Sequence, residues 1–142
     1  MHMKIQYSIS ADLQTEELVR LLFAASNSTY SAQELAHIIS GSTAYVTARD
    51  SGRLVGFGRM LSDGAVLAYI NNMAVSPDYQ RQGIGQTILD TLIEVAGEVK
   101  SIFIYSNTAD SLYVRNGFQV SEKRLYVRRR RIAIKQHVVS GA

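Results

Sequence analysis

A mixed α/β fold on a central sheet of about seven strands is predicted by three features of the 142-residue sequence. The first is a strand–helix–strand unit. The apolar run Val66 to Val75 is stopped by Pro77, which cannot donate to a sheet ladder. Apolar residues resume at helical spacing from Ile84, and Ser101 to Ser106 is a second buried run. Strands joined through a helix pair in parallel. The second feature is a set of three β-rich segments separated by tight-turn signals, an antiparallel meander that ends in the same apolar run. The third is a pair of amphipathic helical patterns between the first strand and the meander. The order expected is β-α-α-β-β-β-α-β-α-β-β in one domain, residues 1–142, with 135–142 as a C-terminal tail.

Taken in order, Lys4 to Ser10 alternates weakly and reads as the first strand. Asp12 is the candidate N-cap of the first helix. Glu16 and Glu17 stand where the helix dipole favours acids, and Leu13, Leu18, Leu21, Leu22 and Ala25 form one face. Ser26-Asn27-Ser28 breaks that pattern. Ser31 followed by Glu34 is a capping box, opening a short helix through Leu35, Ile38 and Ile39 to Gly41. Thr43 to Arg49 and Arg53 to Leu61 flank the turn Asp50-Ser51-Gly52, and Ser62-Asp63-Gly64-Ala65 turns the chain into the central run. Gly56 and Gly58 share one face of the middle strand, where something bulky can lie close. Ile84, Ile88, Leu89, Leu92, Val95 and Ala96 make the buried side of the next helix, which Gly97 ends. Asn107 to Asn116 reads as a short helix, and Phe118–Val120 with Leu125–Ile134 as a closing hairpin.

Composition narrows the function classes. A hydrophobic share of 46% with 19% charged residues excludes a disordered chain. No apolar run reaches the roughly 18–20 residues of a membrane span and no signal-peptide pattern opens the sequence, so a cytoplasmic protein without a membrane partner is expected. Cysteine is absent, which excludes disulfides, thiolate metal sites and a cysteine nucleophile. His2, His37 and His137 are scattered, and no metal is expected. The net charge of +3 hides a segregation: residues 1–114 hold seven Lys/Arg against eleven Asp/Glu, and residues 115–142 hold eight against one. A basic end suits a polyanionic ligand or an acidic neighbouring subunit, including a homodimer partner. Nucleic acid is disfavoured, because neither aromatic interleaving nor a reading helix accompanies the charge. On a strand, Arg128–Arg131 would alternate faces, which suits a charged, protected edge.

The segment from Asn71 to Gln86 carries the chemistry. Its loop delivers Gly83 and Gly85 to a helix N-terminus, where unpaired N–H groups and the helix dipole attract anions. Missing Cβ atoms let an anion approach the backbone, and Arg81 adds a full charge beside it. The loop is therefore either a phosphate cradle or a tight turn for close helix–sheet packing. It lacks the Lys-Ser/Thr of a Walker loop and the three glycines of a Rossmann fingerprint. The pattern Gln80-Arg81-Gln82-Gly83-Ile84-Gly85, led in by Met73-Ala74-Val75-Ser76-Pro77-Asp78-Tyr79, resembles the acyl-CoA loop of the GNAT N-acetyltransferase superfamily. A second stretch, Asn107-Thr108-Ala109-Asp110-Ser111-Leu112-Tyr113-Val114-Arg115-Asn116-Gly117-Phe118, is similar to that family's Asn…Tyr-x-x-x-Gly-Phe segment, and the element order resembles the family fold over nearly the whole chain.

That resemblance implies direct transfer of acetyl from acetyl-CoA to a small primary amine or a protein amine. It implies a bulged central strand splayed from its parallel neighbour, with the pantetheine arm in the gap and the backbone of Met73, Ala74 and Val75 along it. Gln80, Arg81, Gln82, Gly83, Ile84, Gly85 and Gln86 would hold the pyrophosphate. Asn107 would bond the pantetheine arm, the Met73 N–H would polarise the thioester carbonyl, and Tyr113 would protonate the leaving thiolate. A phenol suits that last task, being protonated at pH 7 yet acidic enough to serve a thiolate; the other reading of Tyr113 is a core aromatic. Asn71 and Asn72, two amides in an apolar strand, must find partners in adjacent loops or face a cavity. Many family members use a glutamate base on the central strand or the one before it. None lies here between Glu34 and Glu94, so a water chain past Asn71, Tyr69 or Tyr105 is expected, with Asp63 a turn residue. Tyr30, Tyr45, Arg59 and Asn71 are the candidates for an acceptor pocket. A rival reading is a non-catalytic acyl-CoA-binding regulatory module; thioester turnover with amines separates the two.

Overall fold

The computed structural model describes residues 4–106 and 110–130. The chain divides into two compact units, residues 1–108 and 109–142. In the first unit five strands lie in sequence order: β1 (Ile5–Ile9), β2 (Ala44–Asp50), β3 (Arg53–Ser62), β4 (Leu67–Val75) and β5 (Ser101–Ile104). β1 to β4 pair antiparallel and β4 pairs with β5 in parallel. The helices of this unit are α1 (Thr15–Ser26), α2 (Ala32–Gly41) and α3 (Ile84–Ala96), the last crossing over between β4 and β5.

The two sheet faces bury different partners, as strand alternation requires. On one face Tyr45, Leu54, Phe57 and Ala74 join Leu18, Leu21 and Leu22 of α1 and Leu35 of α2 in one cluster. On the other, Ile84, Ile88 and Leu92 of α3 lie over Gly56 and Gly58. A Cβ on Gly58 would stand 2.6 Å from Met73 Sδ and 2.8 Å from Ile88 Cγ2. The bulky neighbour expected at these glycines is α3 itself. Complete burial of Ile88, Leu89 and Leu92 contributes about 1.5–3 kcal/mol for each side chain.

Two expectations at element ends change. α1 begins after Gln14, not Asp12: Gln14 N–H donates to Glu17 Oε2 at 3.0 Å, closing the first turn. Glu17 also takes a two-pronged contact from Arg49 of β2, at 2.6 and 3.0 Å, which holds its carboxyl below the usual range. Ser31 and Glu34 do form the expected capping box. The sheet has five strands rather than about seven among the described residues. Residues 118–130 carry no strand, and residues 131–134 of the expected hairpin lie outside the described residues. Val120, Leu125, Tyr126 and Val127 are exposed there, and without a ladder partner or a buried face β-propensity does not make a strand.

The second unit contains α4 (Asp110–Val114). It closes on Gly117 at φ +90°, with Phe118 N–H donating to Tyr113 C=O at 3.1 Å. Gly117 is thus a left-handed glycine cap on the helix C-terminus.

Candidate active site

β4 changes partners halfway along its length. Its parallel pairing with β5 covers Leu67 to Ile70 against Ser101 to Ile104 and stops there. β4 runs on through Asn71 to Val75 with no strand on that side among the described residues. Five residues of strand edge, about 17 Å long, are thus left open beside β5. On its other side the register slips: Phe57 faces Ala74, yet Arg59 faces Asn71. One extra β4 residue, at Asn72–Met73, is accommodated as a bulge.

Asn72 makes that bulge possible. It sits at φ +56°, a left-handed conformation that asparagine tolerates better than other side chains. Its Oδ1 accepts from Arg59 Nε at 2.8 Å, and its Nδ2 donates to Tyr30 OH at 3.2 Å. Of the two amides flagged in this strand, Asn72 therefore finds partners, one on β3 and one on the loop between α1 and α2. Asn71 is half-buried and makes no side-chain hydrogen bond among the described residues. Met73 tucks its sulfur over Gly58, while Ala74 is buried in the α1–α2 cluster.

The loop after β4 is fastened at several points. Pro77–Tyr79 is a single helical turn, Tyr79 OH donates to Asp50 Oδ2 at 2.7 Å, and Arg53 lies over the Tyr79 ring. The contact with Asp50 raises the Tyr79 phenol above its usual value. Gln80 Nε2 donates to Val75 C=O at 3.0 Å, folding the loop back on the strand it left. Arg81 (φ +63°) and Gly83 (φ +87°) are left-handed, and Arg81 and Gln82 are exposed. Gly83 is the N-cap of α3 and supplies no side chain, so the N–H groups of Gly83, Ile84 and Gly85 bond to no acceptor among the described residues. No acid stands in the first turn of α3. A Cβ on Gly83 would meet nothing within 4 Å. The side chain of Ile84 points into the core, Gly85 continues the helix, and Gln86 Nε2 holds Asp90 Oδ1 at 2.8 Å.

The expected acceptor residues divide. Tyr30, Arg59 and Asn71 gather beside the bulge with Tyr69, whose phenol is raised chiefly by burial. Tyr45 does not join them. It is buried, stacks on Phe57 with ring centroids 5.8 Å apart, and donates its hydroxyl to Ala11 C=O. Asp63 is fully exposed and accepts three backbone N–H groups of its own turn, which lowers its pKa. In the second unit Tyr113 is buried, with Phe118 edge-on at 6.1 Å. Asn107 lies outside the described residues. The residue that sequence reasoning undervalued is Asn72; a second asparagine inside an apolar strand is itself a signal for a left-handed bulge.

Comparison with known proteins adds the family. Residues 40–120 match the family model described as an acetyltransferase (GNAT) domain. A 45-residue stretch is 42% identical to the Arabidopsis thaliana protein "GCN5-related N-acetyltransferase 3, chloroplastic", covering 32% of this chain and only 19% of that protein. Among solved structures, a protein of unknown function from meticillin-resistant Staphylococcus aureus, described as "Probable Acetyltransferase", superposes with a TM-score of 0.78 at 25% identity over 89% of this chain and all of its own. A GNAT-family protein from Streptococcus pneumoniae gives 0.76 at 21% identity, over 89% of this chain and all of its own.

Proposed function

The chain belongs to the GNAT acetyltransferase family, and on that premise we propose that it transfers acetyl from acetyl-CoA to the nitrogen of an amine at the open edge of β4. The observation that carries this reading is the junction of that edge with a loop whose amides have no acceptor among the described residues. The Gly83, Ile84 and Gly85 N–H groups, with the α3 dipole and Arg81, suit a pyrophosphate. The β4 edge from Asn71 to Val75 suits the amides of a pantetheine arm by strand addition. Val75 C=O is already shared with Gln80, so Met73 is the principal backbone contact at the bulge.

The chemistry balances as follows. The amine nitrogen forms a bond to the thioester carbonyl carbon and the carbon–sulfur bond breaks. Met73 N–H stabilises the carbonyl oxygen as it gains charge. The attacking nitrogen gives its proton to water near Asn71 and Tyr69, and the departing thiolate takes one from the acid that the family resemblance implies, Tyr113, which regains it from solvent. Tyr113→Phe keeps the ring, so acetyl-CoA affinity should hold while the single-turnover rate falls by about 10²-fold, or about 2.7 kcal/mol. An unchanged chemical step would make Tyr113 a core residue and water the acid. No amine-dependent CoA release, with acetyl-CoA still bound, would favour the regulatory-module reading.

A further inference from the structure

Resting on the acetyl-transfer reading, we propose that the acceptor is a small amino acid, an amine that also carries a carboxylate, and that Arg59 is the residue that grips the carboxylate. Arg59 stands on β3 directly opposite Asn71, the first residue of the open β4 edge. It projects on the face shared with Tyr69, and the α1–α2 loop brings Tyr30 to the same place. Its Nε is fixed by Asn72 at 2.8 Å, and Asn72 is held in turn by Tyr30 at 3.2 Å. The fork is therefore oriented, while its two terminal nitrogens make no hydrogen bond and no carboxylate comes within 4 Å among the described residues.

Arg49 supplies the contrast. It lies on the neighbouring strand, and both its terminal nitrogens reach the Glu17 carboxylate. Arg59 is half-buried, and burial lowers its pKa more than the nearby Tyr30 and Tyr69 phenols raise it, with no carboxylate within 4 Å among the described residues. Taking a cation out of water without a partner is costly, and a carboxylate presented to the free fork would offset that cost with two parallel charge-assisted hydrogen bonds. The phenols of Tyr30 and Tyr69, close enough to interact with its charge, can donate to the same carboxylate. The same cation repels diamines and other polycations. An α-amino acid satisfies both demands, since its carboxylate meets Arg59 while its neutralised nitrogen remains beside the β4 edge.

The test uses matched trios, each an L-amino acid, its carboxamide and its decarboxylated amine, with initial rates followed by CoA release. The acids should exceed the other two by at least about 10²-fold in kcat/KM, carried by KM. Arg59→Gln should bring that ratio close to one, a change in selectivity that exceeds any general loss of acetyl-CoA affinity or urea midpoint through Asn72, and Arg59→Lys should retain part of it. Amides or amines that match the acids, or a preference that survives in Arg59→Gln, would overturn the inference. If no trio member releases CoA while another amine does, the inference fails and the transfer reading stands; if no amine does, the transfer reading fails, and calorimetry with N-acetylated amino acids in the presence of CoA still decides the site. Binding that needs both the carboxylate and Arg59 sustains it; binding indifferent to either, or none, ends it.

Discussion

At the N-terminal end of β4 the turn carries its own anion: Asp63 Oδ1 accepts from Ala65, Val66 and Leu67 N–H at 2.8, 2.7 and 3.2 Å. At the C-terminal end the loop into α3 also presents consecutive N–H groups, those of Gly83, Ile84 and Gly85, but no side chain among the described residues answers them. Both segments reverse the chain with a glycine in the left-handed region, Gly64 in one and Gly83 in the other. The difference lies in who satisfies the amides. A turn that must only be a turn places an acid one residue before its glycine. The loop proposed to receive an anion from outside has Gln82 in that place and no acid in the first helical turn.

The largest effect expected from this contrast is on ligand affinity. Gly83→Val should weaken acetyl-CoA binding by at least about 10³-fold by calorimetry, or about 4 kcal/mol. The φ of +87° by itself costs only about 1–2 kcal/mol of stability in a urea titration. Gly83→Asn, which tolerates that φ, should recover the stability and not the affinity. Equal losses in the two measurements would reduce the loop to a turn like its counterpart.

A smaller effect marks the glycine that is closed on purpose. Gly58→Ala puts a methyl 2.6 Å from Met73 Sδ and 2.8 Å from Ile88 Cγ2, and should cost about 1–3 kcal/mol in urea unfolding. No change would mean that Met73 swings away freely and that the bulge is less tightly held than its packing implies.

The smallest effect belongs to Asp63. Its pKa is lowered in the folded state, so its contribution to stability is complete above the usual aspartate value and is lost as pH falls through the depressed one. The difference in thermal midpoint between the wild type and Asp63→Asn should therefore be largest near neutrality and vanish in acid. The pH dependence of kcat/KM should not move; loss of its acidic limb would turn this turn residue into a base.

The elements most legible in the sequence were those set by local chemistry. The Ser31–Glu34 box, the stop at Pro77 and the glycines at both ends of α3 each act through neighbours a few residues away. Non-local features were harder to read. Tyr45 was a candidate for the acceptor pocket, yet its hydroxyl is used by Ala11, a residue remote in sequence and named by no pattern. Asp12 looked like a cap, but Gln14 holds that position because Glu17 bridges back to it while also meeting Arg49 across the sheet. The closing hairpin was inferred from β-rich composition, which says nothing of whether residues 118–130 find a ladder. The bulge came only through family resemblance, although Asn72 carried its physical signal.

Asn72 has one more consequence, for the order of events in solution. A single amide joins Arg59 and Tyr30, on the proposed acceptor side, to the backbone that sets where Met73 N–H points. A ligand that draws the Arg59 fork acts on the bulge, and a ligand lying along the β4 edge acts back on Arg59. Thermodynamic linkage makes the two influences equal: whatever factor one ligand adds to the affinity of the second, the second returns to the first. On the proposed reading, a residue that tolerates a left-handed turn is thereby the hinge through which two substrates would sense each other.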